Sequence, residues 1–151
     1  MFCRSELARL AKLNPRIEAA GAQAVVVTMG RPEETERFCG ERAPGVRCFC
    51  DPEAASYRAY GLTRGSTDQL FGPAVWLKGA QAALEGKFEG LPIGRPVGDP
   101  FQMPGVFVIG EDRRVTFAYY SKHAGDYPDD AELLRAVGAD NRSDRSERSD
   151  R

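Results

Sequence analysis

Four cysteines stand at Cys3, Cys39, Cys48 and Cys50, and Cys3 has the setting in which a thiol does chemistry. It opens the run Met1-Phe2-Cys3-Arg4-Ser5-Glu6-Leu7, at the very start of an amphipathic helix. The positive end of a helix dipole favours thiolate over thiol, and the thiolate is the nucleophile of thiol–disulfide exchange. Arg4 adds a positive charge beside it, although an arginine in a first helical turn also serves as a solvated surface residue. Cys48 and Cys50 fall on one face of an extended segment. With Cys39 and His123 they nominally supply four zinc ligands, but the spacing does not match zinc sites. The simpler reading makes Cys39 and Cys48 small buried apolar residues. No metal and no cofactor is expected.

The elements that must position Cys3 are legible in the apolar spacing. Leu7, Leu10, Leu13 and Ile17 define a helix over Ser5–Ala20, with Asn14-Pro15 as a kink or a fresh N-cap and Gly21 as its stop. Ala22–Met29 reads as a strand without polar alternation in its middle, hence covered on both faces. Pro32-Glu33-Glu34 starts a second helix through about Arg42, with acids in its first turn. Val46–Cys50 is extended and ends at Asp51-Pro52, and Glu53–Tyr60 is a third helix closed by Gly61. Leu77, Ala80, Leu84 and Phe88 keep helical spacing, and a helix is read from about Pro73 to Gly86, with Trp76 as packing. Residues 89–102, rich in proline and glycine, form a loop of functional length. Val106–Ile109 and Val115–Tyr119 make a hairpin around Gly110–Arg113, and a last helix covers Asp129–Val137.

Composition narrows the partners. The 151 residues are 42% apolar and 28% charged with a formal charge of -1, which fits one globular domain and gives no reason to expect nucleic acid or an anionic membrane. No apolar stretch approaches a membrane span, and residues 1–20 carry charges throughout rather than a signal-peptide block. Four irregularly spaced cysteines suit a reducing compartment better than a secreted disulfide scaffold. A cytoplasmic location is therefore expected, with organellar targeting still open if an upstream segment exists. Residues 140–151 hold only Arg, Ser, Asp, Glu and Asn, with no apolar residue to offset the entropy of ordering, and are expected to be disordered.

Alternating strands and helices followed by a hairpin and a helix give the thioredoxin-like order: an α/β/α sandwich with a mixed sheet over residues 1–139. Helices should lie on both sides, and Ala22–Met29 and Val106–Ile109 should belong to one sheet. Such folds carry their redox pair as Cys-x-x-Cys between a strand and a helix. Cys3 fits the second cysteine, and the first would fall one residue before Met1. The strand that should carry it is absent, so the domain is expected to be incomplete at its N-terminus: either Met1 is an internal methionine of a longer protein, or the chain alone folds poorly and aggregates through the open sheet.

Further motifs sharpen this. Phe2-Cys3-Arg4-Ser5-Glu6-Leu7 resembles the second half of a Cys-x-x-Cys-Arg-x-Glu stretch. Asp51-Pro52 with Tyr57-Arg58-Ala59-Tyr60-Gly61-Leu62 is similar to an Asp-Pro…Tyr-x-x-Tyr-Gly-Leu segment, and Gly98-Asp99-Pro100-Phe101-Gln102 with Gly105-Val106-Phe107-Val108 to Gly-Asp-Pro-x-Gln…Gly-x-Phe-Val. His123 with Asp126 matches a short His/Asp loop. Together they resemble the peroxiredoxin-like proteins of the alkyl hydroperoxide reductase/thiol-specific antioxidant superfamily, in the peroxiredoxin-like 2, antioxidant-domain branch.

The resemblance implies a thiol-dependent oxidoreductase acting on a peroxide or endoperoxide, with a thioredoxin- or glutathione-type reductant. Cys3 would resolve the sulfenic acid formed on the missing cysteine, so this chain alone should turn over weakly or not at all. Met103 and Pro104 stand where the fold places a cis-proline facing the active cysteines, and with Arg4 they are the expected substrate-positioning residues. Pro104 is either that cis-proline or the trans start of a strand. A non-catalytic thioredoxin-like binding module and a thiol sensor built on Cys3 are the competing functions.

Overall fold

The first helix, α1, spans Phe2–Ala19 with Pro15 inside it. The fresh N-cap at Asn14-Pro15 is not made, and Asn14 is buried with its amide donating to Glu18 Oε1 at 2.9 Å. Gly21 has a φ of 84°, where Ala22 N–H reaches the Ile17 carbonyl and Gly21 N–H reaches that of Glu18. This is a left-handed glycine stop, and glycine takes that φ without a Cβ clash. The computed structural model describes residues 2–66, 77, 84, 99, 101–123 and 125–138, the first three of these as backbone only.

Strand β1 (Val25–Thr28) pairs in parallel with β2 (Arg47–Cys50), from Val25 opposite Arg47 to Thr28 opposite Cys50. Between them lies α2 (Pro32–Arg42), with Pro32 at its start and Glu34 Oε2 accepting the Arg31 N–H at 3.0 Å. Proline costs a first turn nothing because its missing N–H has no intrahelical partner there. Leu7, Leu13 and Ile17 of α1 join Cys39, Ala43 and Val46 in one core, with Val26 and Cys48 packed against it. The opposite face of the ladder carries Val25, Val27 and Phe49, all exposed. The expected burial of β1 on both faces is therefore corrected: its side chains alternate, one face on the helices and one outward.

The short helix α3 (Ala55–Ala59) follows. Asp51 accepts Ala55 N–H at 3.0 Å, Ser56 N–H at 2.7 Å and the Ser56 hydroxyl. The Ser56 hydroxyl, with the backbone N–H donors behind it, holds the Asp51 carboxyl below its ordinary value. Strands β3 (Gly105–Ile109) and β4 (Val115–Tyr120) form the expected antiparallel hairpin, with an irregularity at Val108/Ile109. A last described helix over 130–138 starts from Asp129, whose carboxylate accepts Glu132 N–H at 2.7 Å. Its Leu133 and Val137 pack with Val108 in a second cluster, and Ala22 touches both clusters.

The architecture is mixed α/β with helices and small parallel and antiparallel sheets, consistent with a thioredoxin-like fold. Among the described residues one expectation fails: β1 and β3 do not share a sheet. Among the described residues β1 pairs with β2 and β3 with β4, and no strand joins the two ladders. The helix expected from about Pro73 to Gly86 is represented by Leu77 and Leu84, both helical and exposed. Its remainder, Trp76, most of the 89–102 loop and the 140–151 tail lie outside the described residues. No described helix is long and apolar enough to cross a membrane.

Candidate functional site

Cys3 and Arg4 occupy the first turn of α1, as their sequence setting requires. The direction of both side chains, and so their separation from Met103 and Pro104, lies outside the described residues. What fixes the helix that carries them is Arg9. Its guanidinium reaches Glu6 Oε1 at 2.5 Å and Asp130 Oδ1 at 2.6 Å, and donates to the Pro128 carbonyl at 2.6 Å. One side chain thus ties the Cys3 helix to the start of the last described helix. Burial raises the Glu6 carboxyl above its ordinary value, against the pull of Arg9.

Met103 is buried and Pro104 half-buried, immediately before β3. The Pro104 carbonyl accepts Ser121 N–H at 3.2 Å, continuing the hairpin ladder. Among the described residues no peptide bond is cis, so the Met103–Pro104 bond is trans and the cis alternative is corrected. Proline at a strand start sacrifices no ladder donor, which is sufficient reason for it there.

The motif residues shared with the antioxidant superfamily turn out to be fasteners. Tyr57 donates its hydroxyl to the Val27 carbonyl at 2.8 Å, fixing α3 to β1. Tyr60 meets the Phe107 ring at 4.8 Å between centroids, and Phe107 meets Tyr120 edge-on at 5.5 Å. Tyr120 in turn donates to the Tyr60 carbonyl at 3.1 Å. Consecutive turns of one short helix thus reach both ladders. Leu62 lies over Gly105, where an added Cβ would stand 2.7 Å from Leu62 Cδ2 and 3.0 Å from the Phe107 ring.

Asp99 and Gln102 clamp the chain ahead of β3 to residues 63–65. Asp99 pairs with Arg64 Nε at 2.5 Å and accepts Phe101 N–H at 3.0 Å, while Gln102 donates to the Thr63 carbonyl at 3.1 Å. The Arg64 hydrogen bond is the main reason the Asp99 carboxyl lies below its ordinary value. Asp126 is equally structural: it accepts the Tyr119 hydroxyl and Lys122 N–H, each at 2.8 Å. His123 contributes its carbonyl to the Asp126 N–H at 3.1 Å.

Desolvation first, and the Asp126 carboxylate second, push the Tyr119 hydroxyl up to about 12. An unfolded tyrosine ionises near 10. The folded state therefore holds this proton longer, and the hydroxyl's contribution, complete below pH 10, is lost as pH rises from about 10 towards 12. An absorbance titration should show one late tyrosine step that disappears in Tyr119→Phe. The same substitution should flatten the fall of stability across that window.

The sequence reading missed one site. Cys39 and Cys48 form a disulfide, with Cα atoms 6.5 Å apart, so they are neither two buried thiols nor zinc ligands. Their positions contained the signal. Cys39 follows Thr35 by four residues on the buried face of α2, and Cys48 alternates with outward Phe49 on the neighbouring strand. Both face the α2–β2 contact. Cys50 is a free, exposed thiol two residues further along.

The mixed α/β arrangement is consistent with the thioredoxin-like fold of the peroxiredoxin-like class of proteins. The family model for the AhpC/TSA antioxidant enzymes matches residues 9–123, and the chain belongs to that family. It is 24% identical to human (Homo sapiens) peroxiredoxin-like 2C over 145 residues, covering 91% of this chain and 63% of the relative. Against the cattle (Bos taurus) protein of the same name the identity is 23% over 144 residues, covering 91% and 62%. The chain thus spans somewhat under two thirds of the length of these curated relatives. No solved structure matches it.

Proposed function

We propose that the chain is the main part of a thiol-dependent, peroxide-reducing protein in which Cys3 is the resolving member of a Cys-x-x-Cys pair. The observation that carries the reading is family membership combined with a cysteine in the first turn of an 18-residue helix. The partner cysteine is placed one residue before Met1. Its thiolate attacks the outer oxygen of a hydroperoxide, breaking the O–O bond; the other oxygen leaves as alkoxide, takes a proton and departs as the alcohol, and the cysteine is left as a sulfenic acid. With an endoperoxide the attack on one bridging oxygen leaves a sulfenate ester, and the other oxygen becomes a hydroxyl on the same molecule. The Cys3 thiol then displaces water from the sulfenic acid, or the substrate's second hydroxyl from the ester, giving a disulfide. A thioredoxin- or glutathione-type donor then returns two electrons and two protons. Met103 and Pro104, with Arg4, are proposed to position the substrate, and the site is proposed to work without metal or cofactor.

The test follows peroxide-dependent oxidation of a thioredoxin-type donor. Residues 1–151 should show weak or no turnover. A chain extended through the upstream reading frame should turn over, and Cys3→Ser in that chain should reduce turnover by about 100-fold or more, as expected when one member of a cooperating catalytic pair is lost. Robust turnover by residues 1–151, lost in Cys3→Ser, would show that Cys3 is the primary nucleophile. Absence of an upstream cysteine, or an inactive extended chain, would sink the pair.

A further inference from the structure

The Cys39–Cys48 disulfide is not sealed in the core. It lies along an open groove of about 380 Å³ between α2 and β2, lined among others by Glu36, Gly40, Gly45 and Cys50. Three of the four cysteines therefore converge on one concavity, and all three are distinct from the residue on which the proposed peroxide chemistry depends. The two sulfur-bearing residues are unequally placed. Both line the groove, but Cys39 is 5% exposed and packed among Leu7, Leu13 and Ile17, whereas Cys48 is half-buried at the edge of that cluster. At Gly40 and Gly45 an added Cβ would meet nothing within 4 Å, so the approach is roomy.

We propose that this groove is a second thiol–disulfide site, in which the Cys39–Cys48 bond accepts two electrons from an external dithiol. A donor thiolate entering the groove attacks Sγ of Cys48, the more exposed residue of the pair. The Cys39–Cys48 bond breaks, its electron pair leaves with Cys39 Sγ, and that sulfur takes a proton. The donor's second thiol gives up its proton and attacks its own sulfur in the mixed disulfide. Cys48 Sγ departs as thiolate and is protonated. The donor ends as a disulfide and the protein holds two thiols, so two electrons and two protons have moved. Exchange of this kind requires access to one sulfur and a leaving group on the other, and the groove supplies that asymmetry. Cys50, at the rim, is not needed for the electron balance and reports access to the groove by its own alkylation.

Air-oxidised protein, residues 1–151, is treated with dithiothreitol under native conditions, quenched with iodoacetamide, and each cysteine-containing peptide is weighed. Before reduction Cys50 should be alkylated while Cys39 and Cys48 remain bonded. Native reduction should proceed within about tenfold of the rate in denaturant, because access and not unfolding controls the exchange. Gly40→Leu fills the groove without removing a cysteine and suits a helix interior. It should slow native reduction about tenfold and leave the denatured rate unchanged, the mark of blocked access. Cys3→Ser should alter neither rate, which separates this site from the peroxide chemistry. Cys39 and Cys48 alkylated before reduction, reduction that requires denaturant, or an unslowed Gly40→Leu would each overturn the proposal.

Discussion

Leu13→Ala is expected to destabilise the domain by about 2–5 kcal/mol, the range for truncating a buried leucine whose site cannot collapse fully. For a domain of this size each kcal/mol lowers the melting temperature by about 2–4 °C, so a fall of roughly 5–15 °C should follow. Leu13 is 5% exposed at the centre of the α1 face that meets Cys39, Ala43 and Val46. Truncation there leaves a cavity lined from two helices and a strand. Leu84→Ala is the comparison, since Leu84 is 90% exposed and a surface substitution of that kind stays within about 0.5 kcal/mol. Equal effects of the two substitutions would contradict the packing described for α1. Because α1 begins at Phe2, its docking also determines where the first-turn cysteine is held, so a loosened α1 should blur any selectivity of Cys3 alkylation.

Removing the disulfide should be nearly as costly. Cys39 and Cys48 are nine residues apart, and closing a loop of that size removes about 2–3 kcal/mol of unfolded-chain entropy in the polymer description. Cys39→Ala with Cys48→Ala leaves two small apolar residues in place of the bond, which limits new packing defects. The double variant should melt roughly 5–10 °C lower than the oxidised protein. Under strong reductant the wild-type chain should fall towards the variant, while the variant itself should not move. A variant as stable as the oxidised protein would show that the bond constrains nothing.

The helical and hairpin elements were legible because each carries local chemistry that no tertiary contact overrides. Pro32 with Glu33 and Glu34 marks the start of α2, Gly21 its predecessor's end, and the apolar alternation around Gly110–Arg113 the hairpin. Asn14-Pro15 misled because the loss of one amide donor within α1 is outweighed by burial of Leu13 and Ile17 on either side of it. Val25, Val26 and Val27 misled in another way. An unbroken apolar run states that side chains are apolar, not that both faces have a neighbour, and here the outward pair is exposed. Spacing puts Cys39 and Cys48 on the facing sides of α2 and β2, but whether their sulfurs meet depends on the angle at which α2 returns to β2, a tertiary quantity. The family motifs were visible as strings, but their work was not. Tyr57, Tyr60, Asp99 and Gln102 fasten segments together, and only the fold shows to what.

Leu62 and Gly105 have a consequence for how this sequence can diverge. The Leu62 methyl already fills the space that a side chain at position 105 would need, with the Phe107 ring closing the other side. The two half-buried positions therefore share one volume. A side chain at 105 requires Leu62 to turn its methyl aside, or a smaller residue to stand at 62. Across descendants of this chain the residues accepted at 105 should therefore depend on the one held at 62, although 43 positions separate them, as 105 less 62.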